Sequence, residues 1–523
     1  MFDNFLKSIR SSYLLCIVKS NPSVVLLCFL YYGWSASNGK FEVLAWTQTP
    51  EGYLNSLAEA FRHGQTHLLL SPDSELLALS DPYDPVQRAT LPEGIYAMHD
   101  ASLFNGHYYL YFTPVLSLFF LLPFRVLSGH FLSEILLGAL LAFSAALLLS
   151  ASIMKVLEFR NSLYATKRIQ RVVIISAFSI TGFPYIIRRL AYYELSILSG
   201  VLFLSLFFYF VTKIAIEQRG LQLSNRLLTY SGLSLGLAIW SRPHLILYFF
   251  CLIPILIYRV YQSSEDAHFS RINLLAKKFL IALSPILVTV GLMATYNYMR
   301  YKSIFEFGIS YILGPADLRA TGLFNFQNLP MGIFGYLFTF PDFNYSFPFV
   351  HLRAQIAPMA FNFLFGGEHL MGLFALPTSL ILLTLLRKPK VNFREGQGID
   401  YLLNVSFFLG SLGVLLVLSL TALTASRYTM EFYPAYTIIV TSIFAPAFAR
   451  APIGLRDNLD GAVYGRVIRG IAILAILLQV FSGLEGYGLT FQAISPNQFQ
   501  FLKNIFEAPF HLIFHFIGIP VPQ

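Results

Sequence analysis

Apolar runs of about 17 to 25 residues recur along the chain, separated by short polar stretches. A helix rising ~1.5 Å per residue needs about 20 such residues to cross a hydrocarbon core of ~30 Å. Barrel strands would instead show weakly alternating segments of ~10 residues. The pattern predicts an all-α polytopic membrane protein with spans at 131–154, 171–187, 195–212, 228–241, 244–260, 279–297, 369–386, 401–424, 433–449 and 467–484. A first helix ending near Trp34 brings the count to about eleven. The expected layout is an N-terminal membrane anchor helix (1–35), an external loop with juxtamembrane helices and a re-entrant segment (36–130), a transmembrane bundle (131–297), a second external loop (298–368), a second bundle (369–484) and an external C-terminal tail (485–523).

Details of the pattern refine this layout. The first run follows Lys7 and Arg10 and precedes Ser35-Ala36-Ser37, the outline of a signal peptide. Its length and its interruption by Lys19 and Pro22 favour a retained anchor. The largest polar segment near the N-terminus runs from about Gln48 to Gly106 and opens on an amphipathic helix. Tyr53, Leu54, Leu57, Ala58 and Phe61 share one face, Asn55, Glu59, Arg62 and His63 fall off it, and Gly64 ends it. Reading the run 108–127 as a span would move the basic groups at 155–171 and 259–278 outside, against the retention of Lys and Arg in cytoplasmic short loops. That run is therefore expected to re-enter or lie on the surface, broken by Pro114 and Pro123. Ser241-Arg242-Pro243-His244 interrupts the pair at 228–260 and puts Arg242 at an external boundary. The segment 298–368, rich in Pro, Gly and aromatics, is expected to pack on the membrane as short helices.

Composition narrows the class. Of 523 residues, 56% are apolar and 12% charged, against about 25% charged in soluble domains. The formal charge of +9 sits largely in short loops, as membrane topology demands, and forms no basic stripe with interleaved aromatics. Nucleic acid is therefore not an expected partner. Cys16, Cys28 and Cys251 lie apart in apolar segments and make neither a disulfide framework nor a metal cluster.

Carboxylates concentrate in the first polar segment. Asp81 and Asp84 flank Tyr83 in Asp-Pro-Tyr-Asp-Pro, where two prolines suppress regular helix. Such a loop can hold a divalent cation or present one carboxylate as a base; the plainer reading is a solvated Asp-Pro turn. His99-Asp100, close before the re-entrant run, pairs an imidazole with a carboxylate that could deprotonate a hydroxyl, or simply caps an interface with aromatic anchors. Arg188, Arg189, Arg242, Arg300 and Arg427 fall at external helix ends, where guanidinium offers bidentate contacts to phosphate. A charge near bilayer depth costs about 2.5–3.5 kcal/mol, so these positions suggest function, although single arginines also snorkel. Glu194 is the lone carboxylate in its turn and can pair with arginine or face a substrate.

Several stretches together resemble the GT-C superfamily of membrane glycosyltransferases, of the protein O-mannosyltransferase and lipid A aminoarabinose transferase type. They are Pro50-Glu51-Gly52-Tyr53 before the amphipathic helix, Tyr109 through Pro114 to Gly129, the glycine-rich Gly232 to Pro243 ending in Arg-Pro, and Arg427-Tyr428 with Pro434 beyond. Where the family places its catalytic Asp beside Glu51, this chain has Pro50, so the role falls to Glu51, Asp81, Asp84 or Asp100. The resemblance implies hexosyl or pentosyl transfer from a polyprenyl-phosphate donor to a glycan, lipid or protein acceptor, on the external, periplasmic face of a bacterial inner membrane. Asp100, Asp84, Asp81, Glu51 and His99 are then the catalytic candidates, and Arg242, Arg427, Arg189 and Tyr428 the donor-phosphate ligands. No cofactor is required by this reading; a divalent metal is compatible with it, at Asp81 and Asp84. The alternative is a transporter or flippase of lipid-linked glycans, which should show pseudo-repeats and broken helices near the midplane.

Overall fold

The structure, a computed structural model, describes residues 13–44, 52–95, 98–111, 114–161, 166–216, 224–263, 268–314, 317–352, 366–386, 398–421, 423–449, 459–486 and 490–517. The longer helices are α1 (Tyr13–Ser20), α2 (Pro22–Ala36), α3 (Tyr53–Arg62), α4 (Glu134–Arg160), α5 (Lys167–Ser179), α6 (Tyr192–Ile216), α7 (Asn225–Ser241), α8 (Phe249–Ser263), α9 (His268–Tyr301), α10 (Leu329–Phe338), α11 (Ile399–Leu418), α12 (Tyr433–Phe444), α13 (Leu459–Glu485) and α14 (Pro496–Ile517). Short strands decorate one end: β1 (Ser102–Phe104) pairs antiparallel with β2 (His107–Tyr109), β3 (Asp342–Phe343) with β4 (Val350–His351), and β5 (Gly366–Glu368) lies parallel to β6 (Leu423–Ala425). Among the described residues six helices are long and apolar enough to cross a membrane, or seven if α1 and α2, bent by 99°, form one span. The chain is a multi-pass helical membrane protein.

The expected eleven spans therefore reduce to six or seven of crossing length, and the shortfall has a physical cause. Helix α5 stops at Ser179 because Gly182 turns left-handed (φ +90°) and Pro184 follows. Helix α12 gives way to a 3-10 turn, Ala445–Phe448, containing Pro446. The apolar run near 369–386 is wound as a 3-10 helix over Pro377–Leu386. With 13, 16 and 10 residues, the last four of the second and all of the third in 3-10 winding, these segments rise ~20–26 Å, short of the ~30 Å core. Helix α7 reaches 17 residues. Of these runs α12 is the most enclosed, whereas the 3-10 helix leaves Leu380, Leu383 and Leu386 exposed. The run at 108–127 forms β2 and then a helix over Ser117–Ser128 that opens with a π turn, also below crossing length.

The core sits around α6. In the apolar window of α6, 78% is buried, against 22% for α9, so α6 is central and α9 peripheral. Helix α6 packs on α4 and α7, α7 on α9, and α4 also on α12 and α2. Gly232 and Gly236 of α7 face α9 so closely that a Cβ would collide with the Ala282 carbonyl oxygen and with Thr289 Oγ1. Small residues at such a seam let helix backbones approach. Gly232→Ala is accordingly expected to lower stability by about 1–3 kcal/mol despite its better helix propensity. A lower melting temperature of the detergent-solubilised protein would report this.

Helix α3 carries the predicted amphipathic face, with Tyr53, Leu54, Leu57 and Ala58 buried, and ends at His63 before Gly64. Arg125 Nε donates to Glu59 Oε2 at 2.8 Å and ties the polar edge of α3 to the helix Leu122–Ser128. At the same end, the last described segment closes over the first. Ser495 Oγ donates to the Asn38 carbonyl at 2.6 Å, and the Trp34 and Phe491 rings meet edge to face at 5.2 Å. Far from this mouth, Arg160 Nε bonds Asp400 Oδ2 at 2.6 Å and staples α4 to α11.

Candidate active site at the mouth of the bundle

The site is built on the first turn of α6. That turn carries Tyr192, Tyr193 and Glu194, and the positive end of the helix dipole favours a carboxylate there. Glu194 Oε2 accepts from the Ala191 N–H at 3.2 Å, a reach-back that closes the helix end. Its Oε1 lies 3.9 Å from Arg427 Nη1, and both side chains are buried. Arg427 sits in the short turn Ser426–Thr429 after β6, placed there by the β5–β6 pairing. Its guanidinium lies 5.2 Å from the ring centres of both Tyr193 and Tyr428.

Arg242 arrives from the other side as the C-cap of α7, where Pro243 forbids another helical turn. Gly200 of α6 leaves room for it: a Cβ there would press on Arg242 Cγ at 3.1 Å. Arg242 stands over the Tyr428 ring at 5.4 Å and its Nε donates to Glu431 Oε1. The other oxygen of Glu431 lies 2.6 Å from His244 Nε2. Glu431 is 0% exposed, so its charge depends on the Arg242 guanidinium and the His244 imidazole that hold it. Burial pushes its carboxyl up, but Arg242 and His244 outweigh burial and leave it below the usual carboxylate range.

Asp100 completes the cluster. It adopts a left-handed backbone (φ +55°), which Asp tolerates better than most residues, and its N–H donates to the Leu313 carbonyl at 3.2 Å. Its Oδ2 accepts from the Tyr193 hydroxyl and lies 3.5 Å from His99 Nε2. Tyr53 of α3 donates to the His99 carbonyl at 3.0 Å, and its ring meets Tyr192 at 4.5 Å. Arg189 lies 6.0 Å from the Tyr193 ring centre. One carboxylate from the polar N-terminal segment thus bonds a tyrosine whose ring lies beside Arg189 and Arg427, and Arg427 shares the Tyr428 ring with Arg242.

The remaining candidates fall elsewhere. Asp81 Oδ2 bonds Arg319 Nη2 at 2.6 Å, that guanidinium also holds Asp317, and it covers the Tyr83 ring at 4.4 Å. The Arg319 hydrogen bond leads in holding the Asp81 carboxyl below its usual range. Asp84 caps the turn Pro85–Arg88, accepting from the Val86 N–H at 2.8 Å. Asp81 thus takes part in an ion pair and Asp84 in a helix cap. Among the described residues no group of three or more His, Cys, Asp or Glu is arranged to hold a metal ion. Glu51 lies outside the described residues.

Arg188 and Arg300 bind backbone rather than carboxylates. Arg188 Nε donates to the Gly483 carbonyl at 2.8 Å while its guanidinium lies against Trp34 and Phe491 at 4.7 and 4.4 Å. Burial lowers its pKa to about 10. Arg300 donates to the Leu110 carbonyl and, at 2.7 Å, to Asn297 Oδ1. The residues missed from sequence are Tyr193, His244 and Glu431. Glu431 carried a readable signal, an ionisable side chain four residues after Arg427 inside an apolar region.

No family model matches the chain, and no curated protein sequence matches it. Among solved structures, the chain is similar to the Archaeoglobus fulgidus oligosaccharyltransferase in the apo form, at 14% identity and a TM-score of 0.43 over 92% of this chain and 57% of that one. It is also similar to ArnT from Cupriavidus metallidurans bound to undecaprenyl phosphate, at 11% identity and a TM-score of 0.43 over 91% of this chain and 76% of that one. A third is the archaeal oligosaccharyltransferase AglB from Archaeoglobus fulgidus in complex with an inhibitory peptide and a dolichol-phosphate, at 14% identity and a TM-score of 0.40 over 90% and 56%. The chain spans little more than half the length of the two oligosaccharyltransferase structures.

Proposed function

We propose that this protein is an integral-membrane glycosyltransferase that moves a sugar from a polyprenyl-phosphate-linked donor to an acceptor hydroxyl on the external face of the membrane. The observation that carries the reading is the convergence of Asp100 with Arg189, Arg242 and Arg427 around Tyr193 and Tyr428. A carboxylate beside guanidiniums at the mouth of a bundle suits a reaction that removes a proton and releases a phosphate. Asp100 takes the proton of the acceptor hydroxyl as its oxygen bonds to the anomeric carbon. The bond from that carbon to the phosphate oxygen breaks, and its electron pair leaves with the polyprenyl phosphate. Attack opposite the leaving group inverts the anomeric centre. Arg427 and Arg242 offset the charge on the departing phosphate, with Arg189 and Tyr428 beside them. Glu194 and Glu431 position the guanidiniums and are not themselves proton carriers in this scheme.

Purified protein incubated with undecaprenyl-phosphate sugars and candidate acceptors is expected to release undecaprenyl phosphate. Arg427→Ala should raise the KM for donor at least tenfold, because it removes a cation while leaving Asp100 in place. Intact donor under every condition, with labelled glycan crossing liposome membranes, would replace this reading with transport.

A further inference from the structure

Residues 320–341 contain no Asp, Glu, Lys, Arg or His. By composition such a stretch suits a membrane segment, yet its helix α10 has 10 residues and rises ~15 Å, half of a crossing. Both ends of α10 are fixed at the mouth of the bundle. Ahead of it, the Asn325 N–H and Asn328 Nδ2 donate to the Leu420 carbonyl, just past α11, at 2.9 and 3.2 Å. Gly332 approaches Ser419 so closely that a Cβ would strike its backbone. Beyond the far end, the Gly372 N–H donates to the Thr339 carbonyl at 2.7 Å, next to the turn that enters the 3-10 helix Pro377–Leu386. Helix α10 therefore lies across the rim rather than along the bundle.

Its two faces differ. Tyr336 points inward, buried edge-on against Phe432 at 5.8 Å, and the charges of Arg427 and Glu431 act on its hydroxyl. Phe334 and Phe338, one turn apart on the opposite face, are 49% and 45% exposed. Phe326 before the helix and Phe340 and Phe343 after it are exposed as well, and Phe338 stacks on the exposed Phe374 at 5.1 Å. Leu409, Leu412 and Leu416 of α11, a helix of crossing length, present an exposed apolar face that leads up to the point where α10 is anchored. Contiguous apolar surface of this kind marks contact with membrane or protein.

We propose that α10 is an interfacial helix covered by acyl chains of the bilayer, with Phe334 and Phe338 in the hydrocarbon boundary and Tyr336 walling the charged cluster on the other side. The occupant is lipid because the exposed face continues from a membrane-crossing helix and the whole stretch lacks charge. A helix lying in the interface buries its apolar face ~5–10 Å into the headgroup and acyl boundary. The segment expected as an external loop then separates the arginine cluster from the lipid phase. This inference does not depend on the glycosyl-transfer reading.

The test uses the full chain in phosphatidylethanolamine–phosphatidylglycerol liposomes, with p-benzoylphenylalanine replacing Phe334 or Phe338, and Val86 as an exposed reference in the polar segment. Irradiation followed by mass spectrometry should yield phospholipid adducts at 334 and 338, at least tenfold over position 86. Chain-to-chain crosslinks in place of lipid adducts, adducts no more abundant than at position 86, or none at either position would overturn the proposal. Phe334→Cys carrying a bimane label, in a background lacking the exposed Cys16, gives a second reading. A lipid-borne nitroxide should quench it more strongly than aqueous iodide, and the reverse order would count against the bilayer as partner.

Discussion

Asp100→Asn is expected to lower kcat for sugar transfer by about 10²–10⁴-fold, the usual contribution of a positioned general base. At about 1.4 kcal/mol per tenfold, that is roughly 3–5 kcal/mol of transition-state stabilisation. The substitution keeps an oxygen acceptor for the Tyr193 hydroxyl, so the cluster should hold its geometry and the donor KM should change by less than about threefold. Tyr193→Phe removes the hydroxyl that bonds Asp100 Oδ2 but not the ring beside Arg427, and should lose less. Release of undecaprenyl phosphate under saturating donor measures both. An Asp100→Asn variant turning over at the wild-type rate would remove Asp100 from the chemistry and reopen the question for the other carboxylates.

Glu431→Ala should produce the largest loss of stability. It strands Arg242 and His244, both only 15% exposed, without the carboxylate that compensates them. Breaking a buried ion pair by removing one partner typically costs about 3–5 kcal/mol. Glu431→Gln keeps an acceptor and should cost less. The pH dependence has a definite sign. Because the folded Glu431 titrates below its unfolded value of about 4.3, its stabilisation is present above that pH and is lost as pH falls through the folded pKa. Thermal melts should therefore show the wild type losing its margin over Glu431→Gln only in that acid range. A constant margin down to about pH 3, more than a unit below that unfolded value, would contradict the triad.

The class of the molecule was legible because membrane spans write themselves as apolar runs; the lengths of the helices within those runs were not. A run of about 17 apolar residues looks alike whether lipid or protein surrounds it, and only the turns at Gly182 and Pro446 and the 3-10 winding after Pro377 show that three of these helices stop short. At the site, Arg242, Arg427 and Glu194 could be read as boundary residues because charge at a span end is rare, Asp100 stood out beside His99 in the polar segment, and Tyr428 came only from the resemblance. Asp81 and Asp84 were equally conspicuous, but their partners, Arg319 and the Val86 N–H, could not be read from the run itself. Tyr193 was hidden because a tyrosine at a span end is ordinarily an interfacial anchor. Its bond to Asp100 joins positions 93 residues apart, which no local pattern encodes.

The seam at Asn38 has a consequence for biogenesis. The Ser495 hydroxyl and the Asn38 carbonyl it meets are 457 positions apart, so α2 inserts long before the partner that covers its end has been synthesised. At the ~5–20 residues per second of translation, that interval lasts roughly 25–90 s. Throughout it the Trp34 face stays open to whatever the insertion machinery offers, and a chain interrupted before the Phe491 turn would retain a greasy, unsealed N-terminal helix for quality control to find.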